Sequence, residues 1–315
     1  MSTTRLVNPN LTLPENESEV ELTFGRKKLR LTNLDKLFWP ELNISKRGLL
    51  QYYIELAPVL LPHLRDRAMV MKRYPEGAAG PFFFMKRAPA KRPEWIRTCA
   101  IRHPSASVID FPMVDDLASL LWMVNLGCID LNPWYARCDD VYRPDYLHFD
   151  LDPVPDAGFE CVRETALHLR DELDALHMPC YAKTTGSRGM HIYVPIRRGP
   201  VQKQVWGFAK EVARRLSAKF PELITSEYRI AKRPAGRVLV DYNQNAWGRT
   251  LASVYSVRPR RRATVSAPVT WAEVERGFQM EDFRLDNMPE RVRQLGDLWK
   301  PVAAARGRVD LERLL

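Results

Sequence analysis

Polar and apolar positions along this chain follow two periods, and the switches between them mark out its elements. VELTF (20–24) and KLRLT (28–32) alternate every second residue, the pattern of half-buried strands. Between Ser45 and Leu64 the apolar Leu49, Leu50, Tyr53, Leu56 and Leu60 recur at helical spacing, and Ser45 is placed to cap that helix. AMVMKRYP (68–75) and GPFFFMKRAP (80–89) read as strands around the turn Pro75-Glu76-Gly77. A helix is predicted over DDLASLLWMVNLG (115–127). Another is predicted over 158–177, with Val162, Ala166, Leu169, Leu173 and Leu176 on one face, and a third over 203–220. YLHFDLDPVP (146–155), CYAKTTGSRGMHIYVPI (180–196, around a Gly turn), GRVLVDYNQN (236–245) and RTLASVYSVRP (249–259) complete the predicted strands. Helices and strands alternate without a strict βαβ rhythm, which predicts an α+β fold with mixed sheets. Residues 1–19 lack periodicity and read as a loose arm.

Composition narrows the function classes. In 315 residues, 48 basic against 38 acidic side chains leave a charge of +10, which favours a polyanionic partner. Five cysteines without a CxxC pair argue against a disulfide framework and a zinc ribbon, and a cytoplasmic setting is expected. No stretch approaches the ~20 apolar residues that span a bilayer, so no membrane partner is expected.

Four constellations carry chemistry. In FDLDP, Asp150 and Asp152 share one face of a strand whose other face is apolar, and two like charges there call for a hard divalent cation such as Mg²⁺ or Mn²⁺. The bland alternative is a surface turn at Asp152-Pro153. In KTTGSRGMHIYVPI, Thr185, Arg188 and His191 surround a Gly turn able to present donors to a triphosphate, or form a plain hairpin. Asp241 ends the apolar run VLV and can add a third carboxylate. SVRPRRR and FFFMKRAPAKRPEWIR interleave arginines and lysines with Phe82, Phe83, Phe84 and Trp95, as sequence-independent nucleic-acid binding requires, although such runs are also solvated faces.

In that order, FDLDP, KTTGSRGMHIYVP, VDYNQN and SVYSVRPR resemble the polymerase domain of bacterial LigD, of the archaeo-eukaryotic primase superfamily, over about Leu31 to Glu273. No ligase or nuclease segment accompanies the match, so the nearest likeness is to stand-alone members of the Prim-PolC kind. The resemblance implies a two-lobed primase-like domain over 20–300, with an N-terminal lobe to about 110, an RRM-like catalytic lobe over about 111–300, and a tail over 301–315. It implies that Asp150, Asp152 and Asp241 hold Mn²⁺ or Mg²⁺. Thr185, Arg188, His191, Arg258 and Lys72 would contact nucleotide or nucleic acid, and Gln244 would face a sugar, with ribonucleotides favoured. Phe83 and Phe84 would stack near the templating base, and Asn33, Lys36 and Lys46 would form a 5′-phosphate pocket. Asn132 stands where the family has a histidine.

The implied activity is template-dependent addition of nucleotides to a primer 3′-OH at short gaps or breaks, by a monomer. Its partners would be gapped or broken DNA with a 5′-phosphate, an NTP or dNTP, and a separate LigC-like DNA ligase or Ku. A metal-dependent nuclease or phosphohydrolase would use the same carboxylates with little need of the Gly turn. A non-catalytic gap-binding or end-binding repair protein would need only the basic and aromatic elements.

Overall fold

Short strand hairpins and one long helix build the first part of the chain. The computed structural model describes residues 5–6, 11–102 and 107–315. β1 (Arg5–Leu6) runs parallel to β2 (Val20–Phe24), which turns back as β3 (Lys27–Leu31). β4 (Leu37–Trp39) pairs with β5 (Ile44–Ser45), and the Ser45 hydroxyl caps α1 (Lys46–Leu64) by accepting from the Gly48 N–H. The five apolar positions predicted for that helix are all buried. β6 (Met69–Arg73), β7 (Phe83–Met85), the paired β8 (Thr98–Arg102) and β9 (Val108–Pro112), α2 (Leu117–Asn125) and β10 (Cys128–Pro133) follow. Asp116 and Ser119 form a capping box on α2. β10, β6 and β7 make one antiparallel sheet in that order.

The second part is a six-stranded mixed sheet. Its elements in chain order are β11 (Tyr146–Pro153), α3 (Phe159–Ala175), β12 (Tyr181–Thr184), β13 (Met190–Pro195), α4 (Gln202–Lys219), β14 (Ile224–Thr225), β15 (Val238–Asp241) and β16 (Pro268–Val269). The strand order is β14-β15-β11-β13-β12-β16, antiparallel except for β14 with β15. α3 and α4 cover one face through Val162, Ala166, Leu169, Leu173, Val205, Ala209, Val212 and Leu216, all buried as helical periodicity requires. α5 (Trp271–Arg276), α6 (Met288–Leu295) and α7 (Lys300–Ala303) close the chain, and beyond them Val309 bridges Ile196 while Leu311 is fully buried. One apolar core runs through both parts. A second, smaller cluster, including Ile101, Phe111 and Trp134, lies under β8 and β9.

Three expectations change. The loose arm gives way over its described part, because Leu11 and Leu13 are buried and Leu13 N–H and Leu11 C=O bond to the Gln51 amide. Residues 249–259 form no strand. They make only isolated bridges, Thr250 with Trp134 and Val257 with Val265, and side chains take part of the remaining backbone: Tyr52 Oη donates to the Tyr255 carbonyl and Val257 N–H to Tyr53 Oη, with Tyr255 itself at φ +60°. The β10-β6-β7 sheet and the large sheet divide between β10 and β11, since β10 pairs with β6. The reading against disulfides is corrected as well: Cys99 on β8 and Cys138, 39 residues on, are joined, with Cα atoms 5.9 Å apart. Spacing along the chain carries no sign of that pairing, which the fold creates by laying β8 and β9 over the second cluster. Among the described residues no helix is long and apolar enough to cross a membrane.

Candidate active site

Strand register places four chemistry-bearing residues in one row across the large sheet. Lys183 on β12 is paired with His191 on β13, His191 with Asp150 on β11, and Asp150 with Asp241 on β15. Directly opposed residues project to the same side of a pleated sheet, and Asp152, two positions on, shares that side. The opposite side is apolar, with Phe149, Leu151, Ile192 and Val240 buried against the helices. The alternation legible in FDLDP is therefore what brings the acids together.

These carboxylates are mutually unfavourable. Burial first, and then the charge of Asp241, push Asp150 up to about 7; the charge of Asp150 and then burial raise Asp152 to about 7. His191 Nε2 stands 3.1 Å from Asp150 Oδ1 but off the axis of a hydrogen bond, so that buried oxygen has no aligned partner. Both Asp241 oxygens are engaged: Oδ1 accepts from the Asn243 N–H at 2.8 Å and Oδ2 from Gln244 Nε2 at 2.9 Å. Among the described residues no three His, Cys, Asp or Glu side chains are grouped so that they could hold a metal ion, and Asp241 is held by its own turn. The donor set itself suits a hard divalent cation, being carboxylate oxygens only, with two raised carboxyl groups and an oxygen awaiting a partner.

The Gly turn is tied to both neighbours. Gly186 has φ +65°, and a Cβ there would lie 2.6 Å from Arg258 Cγ; a Cβ at Gly189 would collide with the Leu151 carbonyl, between the two acids. Thr185 is buried, and its hydroxyl accepts from the Ser187 and Gly189 N–H groups, both at 3.1 Å. Those N–H groups thus already have an acceptor within the loop. Arg188 is exposed and its charge bears on Asp152, as does that of Arg233, which the sequence reading had not singled out.

A second group of charges lies beside the row. Arg258 Nη1 donates to the Thr185 carbonyl at 2.7 Å, and Arg258 Nε and Lys72 Nζ each stand 3.8 Å from Asp130 Oδ2. Asp130 is buried on β10, where desolvation raises it against the pull of Arg258 and Lys72. Sequence reasoning missed this residue because it lies within the mainly apolar run CIDL, where only the partner cations explain a carboxylate. Asn132, two residues on, donates its amide to the Asp130 carbonyl at 3.3 Å.

β6 sends successive cations to opposite sides. Lys72 pairs with Phe84 and Arg73 with Phe83 in the β6–β7 register. Lys72 Nζ is 4.1 Å from the Phe82 ring centroid and 5.8 Å from that of Phe84, whereas the Arg73 guanidinium is 5.3 Å from that of Phe83. Phe82, Phe83 and Phe84 are all exposed. Arg73 also lines a cavity of about 300 Å³ with Asn33, Lys36 and Lys46, so the structure brings together the three residues named for one pocket and adds a third cation. Lys46 is buried, donates to the Thr32 carbonyl at 2.7 Å and is pushed down to about 8 by burial, with Lys36 and Arg73 adding to it; Lys36 is paired with Glu76 at 2.9 Å.

Known proteins resemble this chain over most of its length. A family model described as the primase-polymerase domain of LigD matches residues 45–299. The multifunctional non-homologous end joining protein LigD of Mycolicibacterium smegmatis is 30% identical over 280 residues, 88% of this chain and 36% of the relative. The bifunctional LigD of Bacillus subtilis is 29% identical over 270 residues, 85% of this chain and 43% of the relative. The chain thus spans well under half the length of these curated relatives. Among solved structures, the polymerase domain of Mycobacterium tuberculosis Ligase D in complex with DNA superposes with a TM-score of 0.83 at 30% identity, covering 88% of this chain and 98% of that one.

Proposed function

Because the chain belongs to the LigD primase-polymerase domain family, a family of nucleotidyltransferases with the archaeo-eukaryotic primase-like fold, we propose that it extends a DNA primer 3′-OH opposite a template at short gaps or breaks during repair, with ribonucleotides preferred. The observation that carries this reading is the Asp150–Asp241 pairing beside the Lys72, Arg188 and Arg258 cations, which sets a cation-seeking carboxylate site next to a phosphate-seeking one. Asp150, Asp152 and Asp241 would hold Mn²⁺ or Mg²⁺, whose chemistry when bound is to activate the attacking hydroxyl and neutralise charge at the leaving pyrophosphate. Lys72, Arg188 and Arg258 orient the triphosphate for in-line attack, and Thr185 and His191 shape the wall behind it. Gln244, which donates to Asp241, faces the sugar. Phe83 and Phe84 stack against bases, and the Asn33–Lys36–Lys46 cavity takes the 5′-phosphate across the gap.

The partners are gapped or broken DNA bearing that phosphate, an NTP or dNTP, and a separate DNA ligase or Ku; the working unit is a monomer. The test is primer extension on gapped, nicked and blunt-ended duplexes with rNTPs against dNTPs and Mn²⁺ against Mg²⁺. Growth of the primer, fastest with rNTPs on short gaps, is expected. Shortening would instead support a nuclease, and tight binding without extension a non-catalytic gap binder.

A further inference from the structure

Trp39 lies on β4, in the hairpin that carries Lys36 and Lys46, and Arg260 lies two residues past Arg258. They are 221 positions apart in the chain, yet the Trp39 indole N–H donates to the Arg260 carbonyl at 2.8 Å. An indole has one donor and no acceptor, so this bond uses all the polar capacity of a buried side chain. Beside the bond the two elements stand apart: Phe38, Trp39, Ala78, Pro259 and Arg260 border a cavity of about 460 Å³, and Phe38 also borders the cavity of Lys36 and Lys46. On the solvent side Arg261 Nε meets Glu41 Oε2 at 2.6 Å, an exposed pair that contributes little alone. Each end of the Trp39 bond is fastened to a phosphate-seeking site. The Phe38 carbonyl accepts from the Ala78 N–H at 2.9 Å, which holds β4 to the turn after β6, and the Lys46 N–H donates to the Lys36 carbonyl at 2.8 Å. At the other end the Arg260 N–H donates to the Arg258 carbonyl and the Arg258 N–H to the Thr264 carbonyl, both at 2.7 Å. The Thr264 hydroxyl donates in turn to the Gly186 carbonyl at 2.6 Å, which seats the loop on the Gly turn.

We propose that Trp39 is a positioning residue that sets the separation between the downstream 5′-phosphate and the incoming triphosphate, and so selects the length of gap that is filled. The role rests on the gap-filling reading and adds to it the residue that measures the gap. Trp39 touches neither phosphate and acts through the Arg260 carbonyl. Phosphates along one strand advance roughly 3.4 Å per nucleotide, whereas an N–H···O bond holds its atoms within about 2.7–3.2 Å. A gap one nucleotide too long therefore displaces the 5′-phosphate by more than the Trp39 bond can stretch, and one of the two contacts is lost.

The test is steady-state extension by the full-length protein on a series of gaps lengthened one nucleotide at a time, each with a 5′-phosphate or a 5′-hydroxyl. In wild type kcat/KM is expected to peak at one short gap length when the phosphate is present. Trp39→Phe keeps an aromatic ring and loses the donor. It should flatten that peak by about two- to tenfold, the range that one neutral hydrogen bond supports, and match wild type on the 5′-hydroxyl series. A merely structural role would lower the rate on every gap alike and leave the profile unchanged. Should Trp39→Phe not fold, Glu41→Arg sets like charge against Arg261 at the surface and is expected to flatten the profile in the same direction. A peak kept by whichever variant folds overturns the inference, as does equal flattening on the 5′-hydroxyl series. A wild type that extends primers equally at every gap length overturns the gap measurement and leaves the polymerase reading standing. One that extends none removes the polymerase reading and the gap measurement with it.

Discussion

At the residue scale, the acids of FDLDP trade stability for a cation site. An unfolded aspartate titrates near ~4, whereas Asp150 and Asp152 are raised to about 7 in the fold. Between those values the folded chain keeps protons that the unfolded chain has released. Without divalent cation, stability contributed by these groups is therefore greatest at low pH, falls as pH rises through that window, and levels off above it. The pair titrates as a unit, so the fall is shared between them. Asp150→Asn removes one of the charges. In EDTA at pH 8 the variant should melt on the order of 2–5 °C above wild type, with the gap closing towards pH 5, and it should not extend a primer. Differential scanning calorimetry across pH checks this; equal melting at pH 8 would mean that the acids are not strained.

Among elements, β6 joins two sites that the chain keeps apart. Lys72 and Arg73 are neighbours in sequence, and strand alternation sends one towards Asp130 and Arg258 and the other to the cavity with Lys36 and Lys46. A bound phosphate in that cavity and a nucleotide beside Lys72 would thus be registered by one short strand. Removing the 5′-phosphate from a gapped duplex should weaken wild-type binding by roughly ten- to a hundredfold, since charge-assisted phosphate contacts contribute roughly 1.5–3 kcal/mol. A Lys36→Ala/Lys46→Ala double variant should be indifferent to that phosphate. Fluorescence anisotropy with both duplexes decides, and equal losses in the two proteins would remove the pocket from the scheme.

For the whole molecule, the apolar core shared by the two parts and the Cys99–Cys138 link set overall stability. Closing 39 residues restricts the unfolded chain, for a contribution of about 2–4 kcal/mol. Oxidised protein should therefore melt above reduced protein. Peptide mapping under non-reducing conditions should recover Cys99 joined to Cys138, leaving Cys128, Cys161 and Cys180 as thiols. Finding all five cysteines alkylatable after non-reducing denaturation would remove the cross-link from the account.

Local pattern was enough for what local pattern controls. The helical spacing of Leu49 to Leu60, the Ser45 cap and the alternation that puts Asp150 and Asp152 on one face follow from backbone geometry, which each segment carries by itself. The ordered motifs carried the family resemblance for the same reason. Register, by contrast, is a relation between strands, and only the assembled sheet could set Lys183, His191, Asp150 and Asp241 in a row. Asp130 as counter-ion of Lys72 and Arg258, Arg73 in the phosphate cavity, and the pairing of Cys99 with Cys138 all join residues distant in the chain. Residues 249–259 show the limit most plainly: their apolar alternation predicts a strand, but Tyr255 at φ +60° breaks the extended run, and tyrosine hydroxyls from α1 take the Tyr255 carbonyl and the Val257 N–H, leaving only isolated bridges. Sequence determines which groups are available; packing determines which of them meet.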